Sequence, residues 1–425
     1  MESANGLTPG ENNMGSVKDL VVIISPSDEL PGVGRFNFSD RYSVFDWGEM
    51  PDLIQKKGSA LCIISAYFFE KMNKIGVSNH YRGLFDESGS VVSLKELSKP
   101  SNSMAVNLYR VFNPLEAGGR YNYSDYNGTI CNYLIPLEVI YRNSLPEGSS
   151  VFKRLKEGEI KPEDLGLSGI PEPGLKLDSP ILDVSTKLEV TDRYIKWDEA
   201  QKISGLLPAE INKLKEITLT INNLINETVG RIGLVNEDGK FEFALNDKKE
   251  IVVIDVLGTP DECRFTYNGL HVSKELARNF YRGTRWHRET EYAKKTDRQS
   301  WKSLVQAEPP PLPERLSMLF SFMYQAVCNE LTEKKWFEVP SLSEVMKEIE
   351  KAPQMNKTPL ASMVNALGLG NNLSQSGITT LLQRESAKLF SVGCCLNHTG
   401  RVITQKQQIT TARMIIIIRE VFQRQ

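Results

Sequence analysis

Apolar residues alternate at Phe241, Phe243 and Leu245, then run unbroken from Ile251 to Ile254, with the polar turn Asn246-Asp-Lys-Lys-Glu250 between them. A period of two followed by a short aliphatic run predicts two β-strands joined as a hairpin. The alternation leaves Lys240, Glu242 and Ala244 on the opposite face, with Asp255 just past the second strand. Such a face is either the solvated, salt-bridged side of an antiparallel pair or the wall of a site for a metal-bound polyphosphate.

The rest of the chain can be taken in order around this hairpin. A strand is predicted over 15–24, a loop over 25–34, and a second strand over 35–46 that ends in a polar turn. Lys57-Gly58-Ser59 introduces an amphipathic helix over 60–72, with Leu61, Ile64, Phe68 and Met72 on one side. It leads into Asn79-His80, read as an exposed pair without special chemistry. Residues 81–103 are polar and loop-rich, 104–112 form a strand, 116–129 a loop or insertion, and strand character resumes over 131–142. A domain crossover is therefore expected near 113–131. Residues 157–176 are irregular, and a proline-punctuated loop then carries Lys187 and Glu189. Pro208 opens a long helix with the apolar stripe Leu214, Ile217, Ile221, Leu224 and Val229, closed by Gly230. Further helices begin at Ser273 and, behind the stiff linker 308–313, at Glu314. Beyond Trp336 come one amphipathic helix over 341–351, a Gly/Asn/Ser/Gln-rich stretch over 368–377 and an aliphatic run at 414–418, none carrying a chemical motif.

Composition narrows the class. With 425 residues the chain holds two or three domains. Its 51 basic and 53 acidic side chains argue against a dedicated nucleic-acid binder. Its apolar runs are strand-sized, too short for a membrane span, and the polar leader at 1–14 lacks the pattern of a signal peptide. None of the six cysteines forms a CxxC pair, so buried free thiols are expected, with Cys394-Cys395 and His398 a weak metal candidate. These features point to a cytoplasmic protein of enzyme size.

Two stretches suit phosphate. Gly15, followed by Ser16, Val17 and Lys18, begins either an ordinary strand or a glycine hairpin whose bare N–H groups approach an anion. Gly148-Ser149-Ser150, followed by Lys153-Arg154, is either a surface turn or an anion cradle.

Five stretches in order resemble the SAICAR synthetase family over about residues 14–338: Ser39-Asp-Arg-Tyr-Ser-Val-Phe-Asp46, Pro136-Leu-Glu-Val-Ile-Tyr-Arg-Asn143 with Gly148-Ser149, Ser185-Thr-Lys-Leu-Glu189, Asp238-Gly-Lys-Phe-Glu-Phe243 and Thr259-Pro-Asp-Glu-Cys-Arg264. The resemblance implies an α+β fold of two domains with ATP in the cleft between them. The divisions are a leader at 1–13, an ATP-phosphate-covering domain at 14–130, an ATP- and ribotide-binding domain at 131–338, and an extension at 339–425. It implies a ligase joining L-aspartate to carboxyaminoimidazole ribotide (CAIR) with ATP and magnesium, and allows a homo-oligomer. By the same resemblance Gly15, Ser16, Lys18, Lys187 and Glu189 bind ATP, and Glu242 and Asp255 hold magnesium. Arg142, Ser149, Asp261 and Arg264 hold the ribotide, and Lys240 and Asp238 stand at the reacting centre.

The chain departs from the family pattern at four positions. Ser16 replaces a lysine, Val256 a carboxylate, Arg193 a histidine and Ser273 an aspartate. A divergent active ligase, an enzyme with a changed substrate and a degenerate nucleotide- or ribotide-binding paralogue all remain open on those grounds. A phosphotransferase on a related cleft is the further alternative, although the chain has neither a GxxxxGK[ST] loop nor a His-Arg-Asp loop.

Overall fold

A computed structural model describes residues 12–15, 17–297 and 300–352. Ser16, most of the leader, residues 353–425, the Cys394-Cys395/His398 group and the 368–377 and 414–418 stretches lie outside the described residues.

The strands β1 (Asn12–Met14), β2 (Lys18–Ile24), β3 (Gly32–Phe38), β4 (Tyr81–Phe85), β5 (Val91–Val92) and β6 (Ser103–Leu108) form one antiparallel sheet, ordered β1-β2-β3-β6-β4-β5. Helix α1 (Lys57–Lys74) links β3 to β4 and buries the predicted Leu61, Ile64, Phe68 and Met72. A small hairpin, β7 (Leu115–Ala117) with β8 (Arg120–Asn122), leads to the second sheet.

That sheet contains β9 (Tyr133–Leu145), β10 (Leu175–Thr186), β11 (Tyr194–Ile195), β12 (Leu234–Leu245), β13 (Ile251–Ile254), β14 (Cys263–Tyr267) and β15 (Leu270–His271). Its order is β11-β10-β9-β12-β14-β15, and β13 also pairs with β12. Helix α2 (Ser150–Glu157) follows β9, α3 (Trp197–Ser204) follows β11, and α4 (Pro208–Gly230) lies behind β9 and β12. Of the predicted α4 stripe, Leu214, Ile217, Ile221 and Val229 are buried, while Leu224 is only half-buried and Ile225 is buried in its place. Helices α5 (Glu275–Tyr281), α6 (Arg285–Thr296), α7 (Glu314–Thr332) and α8 (Leu342–Lys351) complete the described residues, with α7 packed on α1. None of the described helices is long and apolar enough to cross a membrane.

The predicted hairpin is β12–β13. Phe241, Phe243 and Leu245 enter the main core, whereas Ala244 packs with Val252, Ile254 and Tyr109 in a smaller cluster. A bulge at Glu237 lies between the pairs Asn236–Phe265 and Asp238–Arg264. One extra residue in a strand reverses the facing of the residues beyond it, so Asp238, Lys240 and Glu242 share the face away from α4. β13 and β14 border the same edge of β12 but at different heights. Between them the chain loops out through 255–262, with Asp255 and Gly258 in left-handed backbone (φ 68° and 65°).

The two sheets meet at this point. Val253 N–H donates to Ser78 O and His80 N–H donates to Val253 O, both at 3.0 Å, while Asn107 N–H donates to His80 O at 2.8 Å.

Four sequence expectations need correction. The strand predicted over 35–46 stops at Phe38, because Phe45 and Asp46 take left-handed backbone (φ 55° and 57°) that no strand accommodates. The loop-rich 81–103 stretch contains β4 and β5. The proline-punctuated segment before Lys187 is the long strand β10, whose register shift between Lys176 and Ile181 takes up Pro180. His80 is buried rather than exposed.

Candidate functional site

Two cavities flank the charged face of β9 and β12. The first, about 420 Å³, has largely apolar walls that include Leu20, Phe36, Leu108, Tyr109 and Leu134, and it ends at Lys18, Glu242 and Asp255. Gly15 lies over it at the tip of the β1–β2 hairpin. A side chain at Gly15 would collide with Lys18 O, so the tight tip requires glycine. The tip is tied down from the Ser39-Asp-Arg motif: Ser39 Oγ donates to Val17 O (2.7 Å), and Arg41 donates to Gly15 O (3.0 Å) and Asp19 (2.5 Å).

The second cavity, about 390 Å³, is polar and is lined by Glu138, Arg142, Asp238, Lys240, Arg264 and Lys274 among others. A third and larger one, about 1130 Å³, adjoins it through Asp46 and Asp192 and is rimmed by Lys153, Lys294, Lys295 and Lys302.

A chain of alternating charges joins the first two cavities. Lys18 pairs with Asp255. Lys187 Nζ donates to Glu242 Oε1 (2.6 Å) and Glu138 Oε1 (3.0 Å), and Lys240 Nζ donates to Glu138 Oε1 (2.8 Å). Burial pushes the Glu242 carboxyl up, aided by the like charges of Asp255 and Glu138, to about 7. Asp255 moves the opposite way: Lys18 and Lys187 outweigh its burial and hold it well below the usual carboxylate range. Glu138 is held down by Lys240 and Lys187 against burial. Burial disfavours the Lys187 and Lys240 ammonium groups, but the surrounding carboxylates outweigh it and raise both.

On the far side, Asp238 Oδ1 accepts from Arg264 Nε (2.8 Å) and Oδ2 from Arg142 Nη1 (3.4 Å). Arg142 is only 1% exposed. It also reaches Ser149 Oγ (3.3 Å), Ser150 Oγ (3.1 Å) and Asp183 (3.3 Å), but its buried Nε has no partner. Ser149 is the N-cap of α2, with its hydroxyl accepting from Val151 N–H. An arginine fork beside the capping serine of a helix start forms a site suited to an anion.

The structure thus brings Lys18, Lys187, Lys240, Glu242 and Asp255 together, and groups Arg142, Ser149, Asp238 and Arg264 beside them. Asp261 borders the polar cavity, but its carboxylate accepts from Lys57 Nζ (2.7 Å) and Tyr324 OH (2.7 Å). Glu189 lines neither of these two cavities; it accepts from Tyr123 OH (3.0 Å) and from Arg193 (3.1 Å). Sequence reasoning did not single out Glu138, Lys274, Arg278, Asp46 or Asp192 as site residues. Glu138 stood inside a quoted stretch, and its inward phase on β9 was the available signal. Burial lowers the Lys274 ammonium below its ordinary value, against Glu262 and Asp261. His80, lowered to about 4 by burial, is neutral.

Among the described residues no cluster of three or more His, Cys, Asp or Glu forms a ready-made metal site. Glu242 and Asp255 nevertheless fit magnesium. That ion takes one or two carboxylates and completes its shell with phosphate oxygens and water, and a divalent cation would offset the burial and the like charges that lift Glu242.

Comparison with known proteins gives the class. The profile describing SAICAR synthetase matches residues 15–299. A putative phosphoribosylaminoimidazole-succinocarboxamide synthase of Archaeoglobus fulgidus is 48% identical over 338 residues, spanning 80% of this chain and 99% of that protein. The phosphoribosylaminoimidazole-succinocarboxamide synthase of Thermoplasma acidophilum is 34% identical over 308 residues, spanning 71% of this chain and 93% of that protein. The solved SAICAR synthase of Saccharomyces cerevisiae, complexed with SAICAR, shares the fold at a TM-score of 0.52 and 21% identity, covering 80% of this chain and 99% of its own. The protein is therefore an α+β enzyme of the ligase class. The chain belongs to the SAICAR synthetase family of purine biosynthesis.

Proposed function

We propose that this chain condenses CAIR with L-aspartate to give SAICAR, converting ATP to ADP and phosphate. The observation that carries the reading is the meeting of two cavities across one charged strand. A slot with apolar walls and a glycine hairpin suits a nucleotide, and the polar cavity beside it suits a phosphorylated, carboxylated substrate. The domain division at 130/131 follows the same logic, with the hairpin half covering ATP and the β9–β15 half holding the ribotide.

In this reading the adenine enters the apolar slot and the triphosphate runs toward Gly15 and Lys18. Arg142, Ser149 and Arg264 take the ribotide phosphate. Asp238 holds both arginines in register, and Asp261 shapes the adjoining loop through Lys57 and Tyr324. Glu242 and Asp255 would hold magnesium, which supplies charge neutralisation on the phosphate oxygens when bound. The CAIR carboxylate lies near Lys240 and Lys187. It accepts the γ-phosphoryl group to become an acyl phosphate, and ADP departs. The aspartate amine attacks the acyl carbon, loses a proton and expels phosphate. The mixed cationic and acidic rim of the adjoining larger cavity suits the charged groups of that amino acid. Little covalent work falls to the protein, so alignment and fixed positive charge are its contribution. L-Aspartate and CAIR are the small-molecule partners, and the site belongs to a cytoplasmic enzyme.

The test is ADP release by purified protein with ATP, magnesium, CAIR and L-aspartate. Aspartate-dependent turnover that yields SAICAR is expected. CAIR binding without any such turnover would refute the ligase reading in favour of a binding paralogue.

A further inference from the structure

Asp255 carries a side chain in left-handed backbone (φ 68°), a conformation uncommon outside glycine and one that persists only where neighbours enforce it. The neighbours here come from the N-terminal half of the chain. His80 Nε2 lies 3.1 Å from Asp255 O. A carbonyl only accepts, so this bond is made with the proton on Nε2. Two residues on, Leu257 N–H donates to Ser65 Oγ (3.1 Å), and Phe68 of α1 fills the space beside Gly258 so closely that no side chain fits there.

His80 is itself held at both ends. Its main chain is bonded to Val253 on one side and Asn107 on the other. Its ring is 2% exposed and lies edge-on to Phe36 and Phe69, with centroids 5.7 and 5.2 Å away. The imidazole is thus a rigid strut between the seam of the two sheets and the turn that aims the Asp255 carboxylate at Lys18 and the nucleotide slot.

We propose that His80 is a positioning residue for the magnesium nucleotide, acting through the Asp255 carbonyl. The inference rests on the reading of Glu242 and Asp255 as magnesium ligands. It assigns His80 a role that no motif in the sequence signalled.

Calorimetric titration of the full chain with ATP, in magnesium and in EDTA, tests it without any need for turnover. His80→Phe keeps a ring between Phe36 and Phe69 but loses the donor. It is expected to weaken ATP binding in magnesium tenfold or more while changing binding in EDTA less than twofold. His80→Gln, whose amide reaches the position of Nε2, is expected to stay within threefold of wild type. Ser65→Ala loosens the same turn from its other side. It is expected to weaken magnesium-dependent binding at least threefold, and it keeps the test decisive if His80→Phe does not fold. Equal losses with and without magnesium, or no loss in either variant, would overturn the proposal and leave the ligase reading standing. Wild-type protein with no magnesium-dependent ATP binding would overturn both.

Discussion

Lys57→Met isolates what holds the 255–262 loop. Lys57 Nζ lies 2.7 Å from Asp261 Oδ2, with the two side chains 0% and 6% exposed. Unit charges at that separation attract by about 6 kcal/mol at an effective dielectric constant of about 20, and removing one partner of a buried pair costs about 3–5 kcal/mol. Asp261 keeps its bond from Tyr324 OH and the nearby charge of Lys274, so the lower end, about 3 kcal/mol, is expected. In a chain of this length that lowers the melting temperature by about 3–5 °C. The loss also depends on pH. Burial alone would lift the Asp261 carboxyl, but Lys57 and Lys274 hold it below its ordinary value. In wild type it therefore adds stability above the unfolded value of about 4, which is lost as pH falls through the folded value. Without Lys57, burial dominates and the native state binds a proton more readily than the unfolded chain. The variant's deficit should then be full near pH 8 and shrink toward pH 5. Thermal unfolding at both pH values measures this, and Lys57→Met/Asp261→Asn should recover at least half the loss at pH 8. A deficit under 1 °C, or one equal at both pH values with no recovery in the double variant, would refute the reasoning.

Three further outcomes follow from the geometry. Lys187→Met leaves Glu138 and Glu242 without their shared cation, and should lower kcat of the ligase reaction about 100-fold or more; steady-state rates within threefold of wild type would exclude Lys187 from the reacting centre. Asp238→Asn releases Arg142 and Arg264 from their common carboxylate, and should raise KM for CAIR about tenfold while KM for ATP stays within about twofold; parallel rises in both would show a general loss of structure instead. Gly239→Ala drives a methyl to 2.7 Å from Cζ of the buried Tyr141, whose ring stacks on Phe241, and should cost about 1–3 kcal/mol in chemical denaturation; unchanged stability would mean that β12 can shift at the bulge.

The β12–β13 hairpin was legible because its period of two is local, and its charged face proved to be the wall of the cavities rather than a solvated surface. The α1 and α4 stripes were legible for the same reason. Features that depend on distant partners were not. His80 is buried because β13 pairs beside it, and nothing near position 80 announces that strand. β10 was hidden by Pro180, whose effect is absorbed by a register shift visible only against β9. The inward face of Asp238 depends on the bulge at Glu237, which Asn236 braces from the core side through its amide bonds to Asn222 (3.2 Å) and Asn226 (2.8 Å) on α4. On β9 and β12, Arg142 and Asp238 were named from resemblance, whereas Lys240 and Glu242 were also singled out by the alternation along β12. Lys274 and Arg278, which share the polar cavity, stand on a segment that read only as a helix start.

Among the described residues, the departures from the family pattern at Val256, Arg193 and Ser273 do not fall on the charge chain itself. Val256 is 8% exposed and belongs to the main hydrophobic core, so a carboxylate in its place would have to be buried there; the neighbouring Asp255 is balanced by Lys18 instead. Arg193 closes on Glu189 and Glu199, which turns a residue expected near the nucleotide into a clasp on the segment behind Lys187. Ser273 is buried at the start of α5, where its hydroxyl accepts from Glu275 N–H, the work an aspartate would do there without placing another negative charge beside Lys274. Lys18, Lys187 and Lys240 remain matched by Asp255, Glu242 and Glu138. On the proposed reading, such a wall would favour a divalent cation together with a polyphosphate over either ion alone: the cation would take the carboxylates, and the released lysines would face the phosphate and the CAIR carboxylate.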